Sequence, residues 1–473
     1  MTDPIAGGAL ALSRQLRRRE IACRDLMACT LDRIGARDGT YNAIPILADR
    51  DTLMAEAARC DEELAQGRCR GWLHGIPVAV KDLAHAKGLR TTWGSPLFAH
   101  FVAPEDSIHV ARMRAAGAIV IGKTNTPEFG LGSHTYNPVH GITRNAHNPA
   151  LSAGGSSGGA AVALALGLLA VADGSDMGGS LRNPAGWNGI YGFRPTFGRV
   201  PQTAADDEYM GQLATDGPMG VTVEDVAMLF ATQAGYHPGV PSSLADEPGL
   251  GDVSVESIAG LRIGWLGDFA GHCRTEPGVL ELCADALRNF EDMGAIVEPA
   301  HVAFDLERAW QAFCRLRQFG VTGRLRAIFD DPARRALMKP ELQWEIEQGL
   351  GLSAYDVYRA SCERTTWTRT VDALFQRHDL LALPSAQVFA FPAEWHWPRD
   401  IAGTRMDTYH RWMEIVIGPT LAGGPVFVVP AGVDPRGRHM GLQLWGPARA
   451  DRTVLRAAAA YEQVARPVRL NLG

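Results

Sequence analysis

The chain has no CxxC pair, no apolar run long enough to cross a bilayer and no excess of positive charge. Each lack removes a class of function. Its eight cysteines (Cys23, Cys29, Cys60, Cys69, Cys273, Cys283, Cys314 and Cys362) are scattered over 473 residues, so no disulfide framework and no zinc ribbon is expected. The longest apolar stretch, Ala160 to Ala172, is 13 residues, short of the ~20 a spanning helix needs. The start, Met1-Thr-Asp-Pro4, lacks a basic lead into an apolar run, which together with the scattered cysteines predicts a reduced, cytoplasmic protein. Lys and Arg number 46 against 52 Asp and Glu, a net charge of −6, so neither nucleic acid nor an anionic membrane is an expected partner. Internal repeats are lacking as well, which excludes solenoids and propellers.

Glycine, by contrast, is abundant: 52 of 473 residues, about 11% where roughly 7% is usual. The apolar fraction, 46%, suffices for a sizeable core. Spacings of three and four predict helices over 8–36 and 48–66. From Ile76 onward, short β-branched runs (76–80, 118–121) alternate with helical stretches such as 107–116, the pattern of an α/β sheet flanked by helices. A Pro- and Gly-rich connection at 237–260 leads to a strand at 261–266 and to helices over 275–294 and 304–375. Strands at 380–383, 426–429 and 441–445 and a helix over 451–464 close the chain.

Some motifs invite chemistry they do not support. Gly117-Ala-Ile-Val-Ile-Gly-Lys-Thr124 fits the letters of a phosphate-binding loop, yet its four central residues read as a strand where the loop should be. A nucleotide-binding protein using 117–124 is therefore the remote alternative. His134, His140 and His147 share one segment but have no carboxylate or cysteine at zinc spacing, so no metal is expected. Arg17–Arg19 read as a solvated helix end. Trp395, His396 and Trp397 are packing under a loop or a wall for an apolar ligand.

Two glycine-rich serine loops carry more. Residues 154–159 read Gly-Gly-Ser-Ser-Gly-Gly and run into the small-residue stretch 160–172, read here as one buried helix; such a loop lets backbone N–H groups approach an anion or a polarised oxygen. A second loop, 173–184, places Ser180 behind glycines, 24 residues after Ser156. Two hydroxyls are thus expected in one site. Upstream, the apolar strand of Gly75-Ile-Pro-Val-Ala-Val-Lys81 ends in a lysine that must either reach solvent or lose its proton, and a neutral lysine is a general base for a serine.

Residues 154–185, with Gly154, Gly155, Ser156, Gly159, Asp176, Gly178, Ser180, Arg182 and Pro184, resemble the signature of the amidase signature family of serine hydrolases. The similarity extends through 122–128, 192–199 and 441–447 and is weakest over 240–375. The resemblance implies an α/β fold with a central mixed, twisted sheet flanked by helices on both faces. It implies one domain over 1–473: a helical N-terminal part (1–70), a catalytic core (71–236), a connecting, variable helical region (237–375) and C-terminal strands and helix (376–473). It also implies Ser180 as nucleophile, Ser156 as a bridging serine on a cis peptide and Lys81 as base, with an oxyanion hole from the amides of Met177, Gly178, Gly179 and Ser180. Ser157, Asp176 and Arg182 resemble the supporting shell, and Gly130, Leu131, Gly132 and Tyr136 the acyl pocket.

No metal or organic cofactor is implied. The expected activity is cleavage of the C–N bond of a small apolar or aryl amide through an acyl-enzyme. Carbamate, urethane or ureide hydrolysis by the same machinery is the near alternative, and a homodimer stays open. A glutamine amidotransferase A-subunit is the other; Trp187-Asn188, where many relatives carry Phe-Cys, and the stretch 202–211 argue against it.

Overall fold

The computed structural model describes residues 7–202, 207–254, 257–465 and 470. Eight strands form the main sheet, in the order Ile296–Pro299, Arg262–Trp265, Leu380–Pro384, His439–Trp445, Val426–Val433, Tyr191–Arg194, Thr215–Gly220 and Val171–Asp176. The first three run parallel and the remaining pairings are antiparallel, so the sheet is mixed, as the family resemblance implies. A second sheet sets Ile119–Thr124 between Ile46–Leu47 and Pro77–Lys81.

Two large apolar cores fill the spaces around these sheets. One joins the C-terminal strands to the helices Val279–Asp292, Leu306–Phe329 and Asp451–Val464; the other packs the N-terminal helices and the helix Gly158–Ala165 around the second sheet. The burial period explains the strands: Leu380–Pro384 and Pro77–Lys81 are buried at every position, as strands covered on both faces must be.

One expectation is corrected. The stretch 160–172 is not one helix: the helix ends at Ala165, Gly167 turns the chain at φ +63°, and Val171 begins a strand. A fully buried apolar run carries no periodicity that separates the two. The predicted helix over 8–36 is two, Gly8–Arg17 and Cys23–Tyr41, and 304–375 divides into Leu306–Phe329, Pro332–Arg335, Pro340–Leu350 and Ala354–Phe375. Part of the stretch 202–211 lies outside the described residues. Among the described residues no helix is long and apolar enough to cross a membrane.

Candidate active site

Lys81 is the last residue of its strand and is buried, 1% exposed. Its Nζ lies 2.7 Å from Ser156 Oγ, 2.9 Å from Ser157 Oγ and 3.0 Å from Ser175 Oγ, with the Ser175 carbonyl oxygen at 3.3 Å. Hydroxyls both donate and accept, so this shell accommodates the amine charged or neutral. In the neutral form two N–H groups donate and the lone pair accepts one hydroxyl proton. Burial pulls the Lys81 amine down to about 7, against Asp173, Asp216 and Asp176, which pull the other way.

The loop that presents Ser156 has a cis peptide between Gly155 and Ser156. Gly159, in the first turn of the following helix, sits so close to the end of the Ile119–Thr124 strand that a Cβ there would lie 2.3 Å from the Asn125 amide nitrogen. That contact fixes where the loop ends. Ser180 follows the edge strand Val171–Asp176 and is 6% exposed; its carbonyl accepts the Ser157 N–H at 3.2 Å, tying the two serine loops together. Among the described residues its hydroxyl makes no hydrogen bond, and none joins it to Ser156.

Asp176 and Arg182 organise the turn between them. The carboxylate accepts the Gly179 and Leu181 amides at 3.0 Å each and Arg182 Nε and Nη2 at 3.0 and 2.9 Å. Arg182 Nη1 reaches the Val416 carbonyl and Gln443 Oε1, and its Nη2 also reaches Thr420. Every guanidinium donor is therefore used, and both residues are fully buried. Burial opposes the Asp176 charge, but Arg182 and Arg194 hold its carboxyl well below the usual range. Of the amides expected in the oxyanion hole, that of Gly179 donates to Asp176. The amides of Met177, Gly178 and Ser180 find no protein acceptor among the described residues.

Leu131, Gly132 and Tyr136 line a small pocket with His396, Trp397, Tyr409 and Trp412, whose charged wall residues are Lys339 and Glu341. Gly130 is not on that wall; it borders the serine cluster, where a Cβ would stand 3.5 Å from Ser156 Oγ and 2.8 Å from Leu83. Pocket and serine loop adjoin, since Ser133 Oγ donates to the Gly178 carbonyl at 3.5 Å. Trp187 backs the pocket, stacked on Trp412 at 5.8 Å.

Several contributors carry no signal in the sequence. Arg317 Nη1 approaches Met177 Sδ at 3.4 Å, while its Nε and Nη2 are bound to Glu345 and Tyr409 at 2.7 and 2.8 Å. Met413 Cε packs against Gly178, 2.8 Å from where a Cβ would be. These residues come from the helical region and a distant loop, and no local spacing marks them. Ser175 lies within the second serine loop, but its place beside Lys81 follows only from the alternation of side chains along the strand Val171–Asp176.

The decoys resolve plainly. Ile119–Thr124 is a strand whose Lys123 turns into the core toward the Ala84 carbonyl and Thr91, leaving no phosphate cradle. His134 binds the Ala393 carbonyl and Ser152, His140 faces Thr92, and His147 stacks on His439. They converge on no common point. His272, Cys273 and Glu414 do come together, their ligand atoms within 4.8 Å, but Arg411 Nε already lies 2.9 Å from the Glu414 carboxylate and supplies its countercharge.

Known proteins share both the sequence pattern and the fold. A family model described as Amidase matches residues 25–455. The glutamyl-tRNA(Gln) amidotransferase A-subunit of Thermosynechococcus vestitus is 35% identical over 474 residues, covering 96% of each chain. Among solved structures, a bacterial aryl acylamidase of the amidase signature enzymes is 29% identical with a TM-score of 0.91, covering 96% of each chain. The native peptide amidase of Stenotrophomonas maltophilia is 27% identical with a TM-score of 0.82, covering 98% of each.

Proposed function

This chain belongs to the amidase signature family, whose enzymes act on C–N bonds, and we propose that within it the protein is an amidase for small apolar or aryl amides, working through an acyl-enzyme on Ser180. The observation that carries the reading is the 2.7 Å contact between buried Lys81 Nζ and Ser156 Oγ inside a shell of hydroxyls. A buried, neutral lysine takes the Ser156 proton as Ser156 takes that of Ser180, whose Oγ attacks the carbonyl carbon. The developing oxyanion meets the free amides of Met177, Gly178 and Ser180, donors of a kind each worth roughly a hundredfold or more in rate. The proton then returns through Ser156 to the leaving amine, and water repeats the attack on the ester.

The acyl preference rests on the rings of Tyr136, His396, Trp397, Tyr409 and Trp412, against which an aryl group can stack; the cavity between them is only about 10 Å³, so an acyl group enters as these walls move apart. Arg317, beside Met177, binds Glu345 and Tyr409 through Nε and Nη2, while its Nη1 meets only the Met177 thioether. A carbamate differs only beside the carbonyl and remains the near alternative. The second reading, an amidotransferase A-subunit, is favoured by the relatives that are 35% identical over nearly the whole chain.

The test is turnover of an aryl anilide, a primary aliphatic amide, an aryl carbamate and glutamine by the purified chain and its Ser180→Ala variant. We expect anilide hydrolysis by the wild type, reduced in the variant by about 10³-fold or more. Activity on glutamine alone, or only with copurifying subunits, would move the assignment to the amidotransferase.

A further inference from the structure

Behind Lys81 lies a buried charge cluster that the proposed chemistry does not use. Asp173, two strand positions before Ser175, accepts the Lys81 backbone N–H on Oδ1 at 2.9 Å. Its Oδ2 lies 3.2 Å from His109 Nε2, and His109 Nδ1 lies 3.2 Å from Asp216 Oδ2. His109 is 2% exposed, and the Asp173 and Asp216 side chains 1% and 14%. A neutral imidazole has one N–H and one lone pair, so it satisfies one carboxylate and repels the other; the doubly protonated ring satisfies both. Burial opposes that charge, but Asp216 and Asp173 raise His109 to about 10.

The other charges packed around Lys81 are already matched. Asp176 on the same strand is held by Arg182 and Arg194, and Asp82, next in the chain, lies 4.0 Å from Lys123. The helix Gly158–Ala165 brings no charge. That leaves Asp173 and Asp216, with His109 of the helix Ile108–Ala115 as their partner. Unmatched carboxylates in a low-dielectric interior hold a proton on any nearby amine.

We propose that His109 is a positioning residue for the hydrolytic reaction: its imidazolium bridges Asp173 and Asp216, offsets one of their two charges and so keeps their combined field from locking Lys81 in the protonated, inactive form. This inference rests on Lys81 being the base. His109 touches neither substrate nor Ser180; it acts through the two aspartates, and the same cluster anchors the Lys81 backbone.

The experiment is the pH dependence of kcat/KM for an aryl anilide, from pH 5.5 to 10, for the wild type, His109→Gln and the double variant His109→Gln, Asp216→Asn. The wild type should show one base-side ionisation. His109→Gln should move its midpoint up by ~1 pH unit, with the alkaline plateau kept within about twofold and a loss of about tenfold at pH 6. Removing the second charge in the double variant should return the midpoint toward the wild-type position. An unmoved midpoint with a lowered plateau would show a merely structural role and overturn the inference. A wild type without any base-side ionisation would overturn the Lys81 reading itself. Should His109→Gln lack the wild-type melting transition, Asp216→Asn alone decides: its midpoint falls if the field account holds, and an unchanged midpoint overturns it.

Discussion

Lysine is scarce in this chain, four residues among 46 basic ones: Lys81 and Lys123 are buried, Lys339 is half-buried on the pocket wall and Lys87 is exposed. Arginine handles the other basic positions because its guanidinium stays charged; a base must be able to lose its proton, and only lysine does so when desolvated. With burial drawing Lys81 down to about 7, kcat/KM is expected to rise with pH through one ionisation near neutrality. The amine is protonated and inactive below it and neutral and active above it. A rate profile flat from pH 5.5 to 10 would contradict this. Lys81→Arg keeps the charge and loses the proton transfer, so we expect kcat/KM to fall by about 10²–10⁴, measured beside an unchanged circular dichroism spectrum.

At the scale of elements, the turn Met177–Leu181 is held from within. Gly179 sits at φ +92°, and a Cβ there would fall 2.1 Å from Asn183 Oδ1. Gly179→Ala is expected to lower Tm by several degrees and to cut turnover, a cost of roughly 1–3 kcal/mol from the backbone conformation alone. Arg182→Met strips the buried Asp176 of its main partner and should cost about 3–5 kcal/mol, seen as a large drop in Tm. Much of the architecture is legible in the sequence: the strands read at 380–383 and 441–445, seen at Leu380–Pro384 and His439–Trp445, and the helix Asp451–Val464 follow from period and β-branching, and a lysine at a strand end with two serines among glycines marks the site, while the pairing of Lys81 with Ser156 comes from the family resemblance. Tyr191–Arg194 and Thr215–Gly220 are not, since Gly192, Gly217 and Pro218 interrupt them and only their neighbours in the sheet make them strands. His109, Asp173 and Asp216 meet across three elements far apart in sequence, a juxtaposition that no local pattern encodes.

Over the whole molecule, the serine loops lie where the two apolar cores meet, and the aromatic pocket is closed from the far end of the chain by Tyr409 and Trp412. A small neutral aryl amide should therefore bind the Ser180→Ala protein and raise its Tm, by an amount growing with ln of concentration; glutamine at equal concentration should leave Tm unchanged. The reverse order would favour the amidotransferase reading. The central claim, an acyl-enzyme on Ser180, is tested most directly by rapidly quenching the wild-type protein during aryl amide turnover and mapping the adduct by mass spectrometry. The account predicts the acyl mass on the peptide containing Ser180 and its absence from Ser180→Ala. An adduct on another residue, or turnover retained in Ser180→Ala with no adduct on either protein, would contradict it.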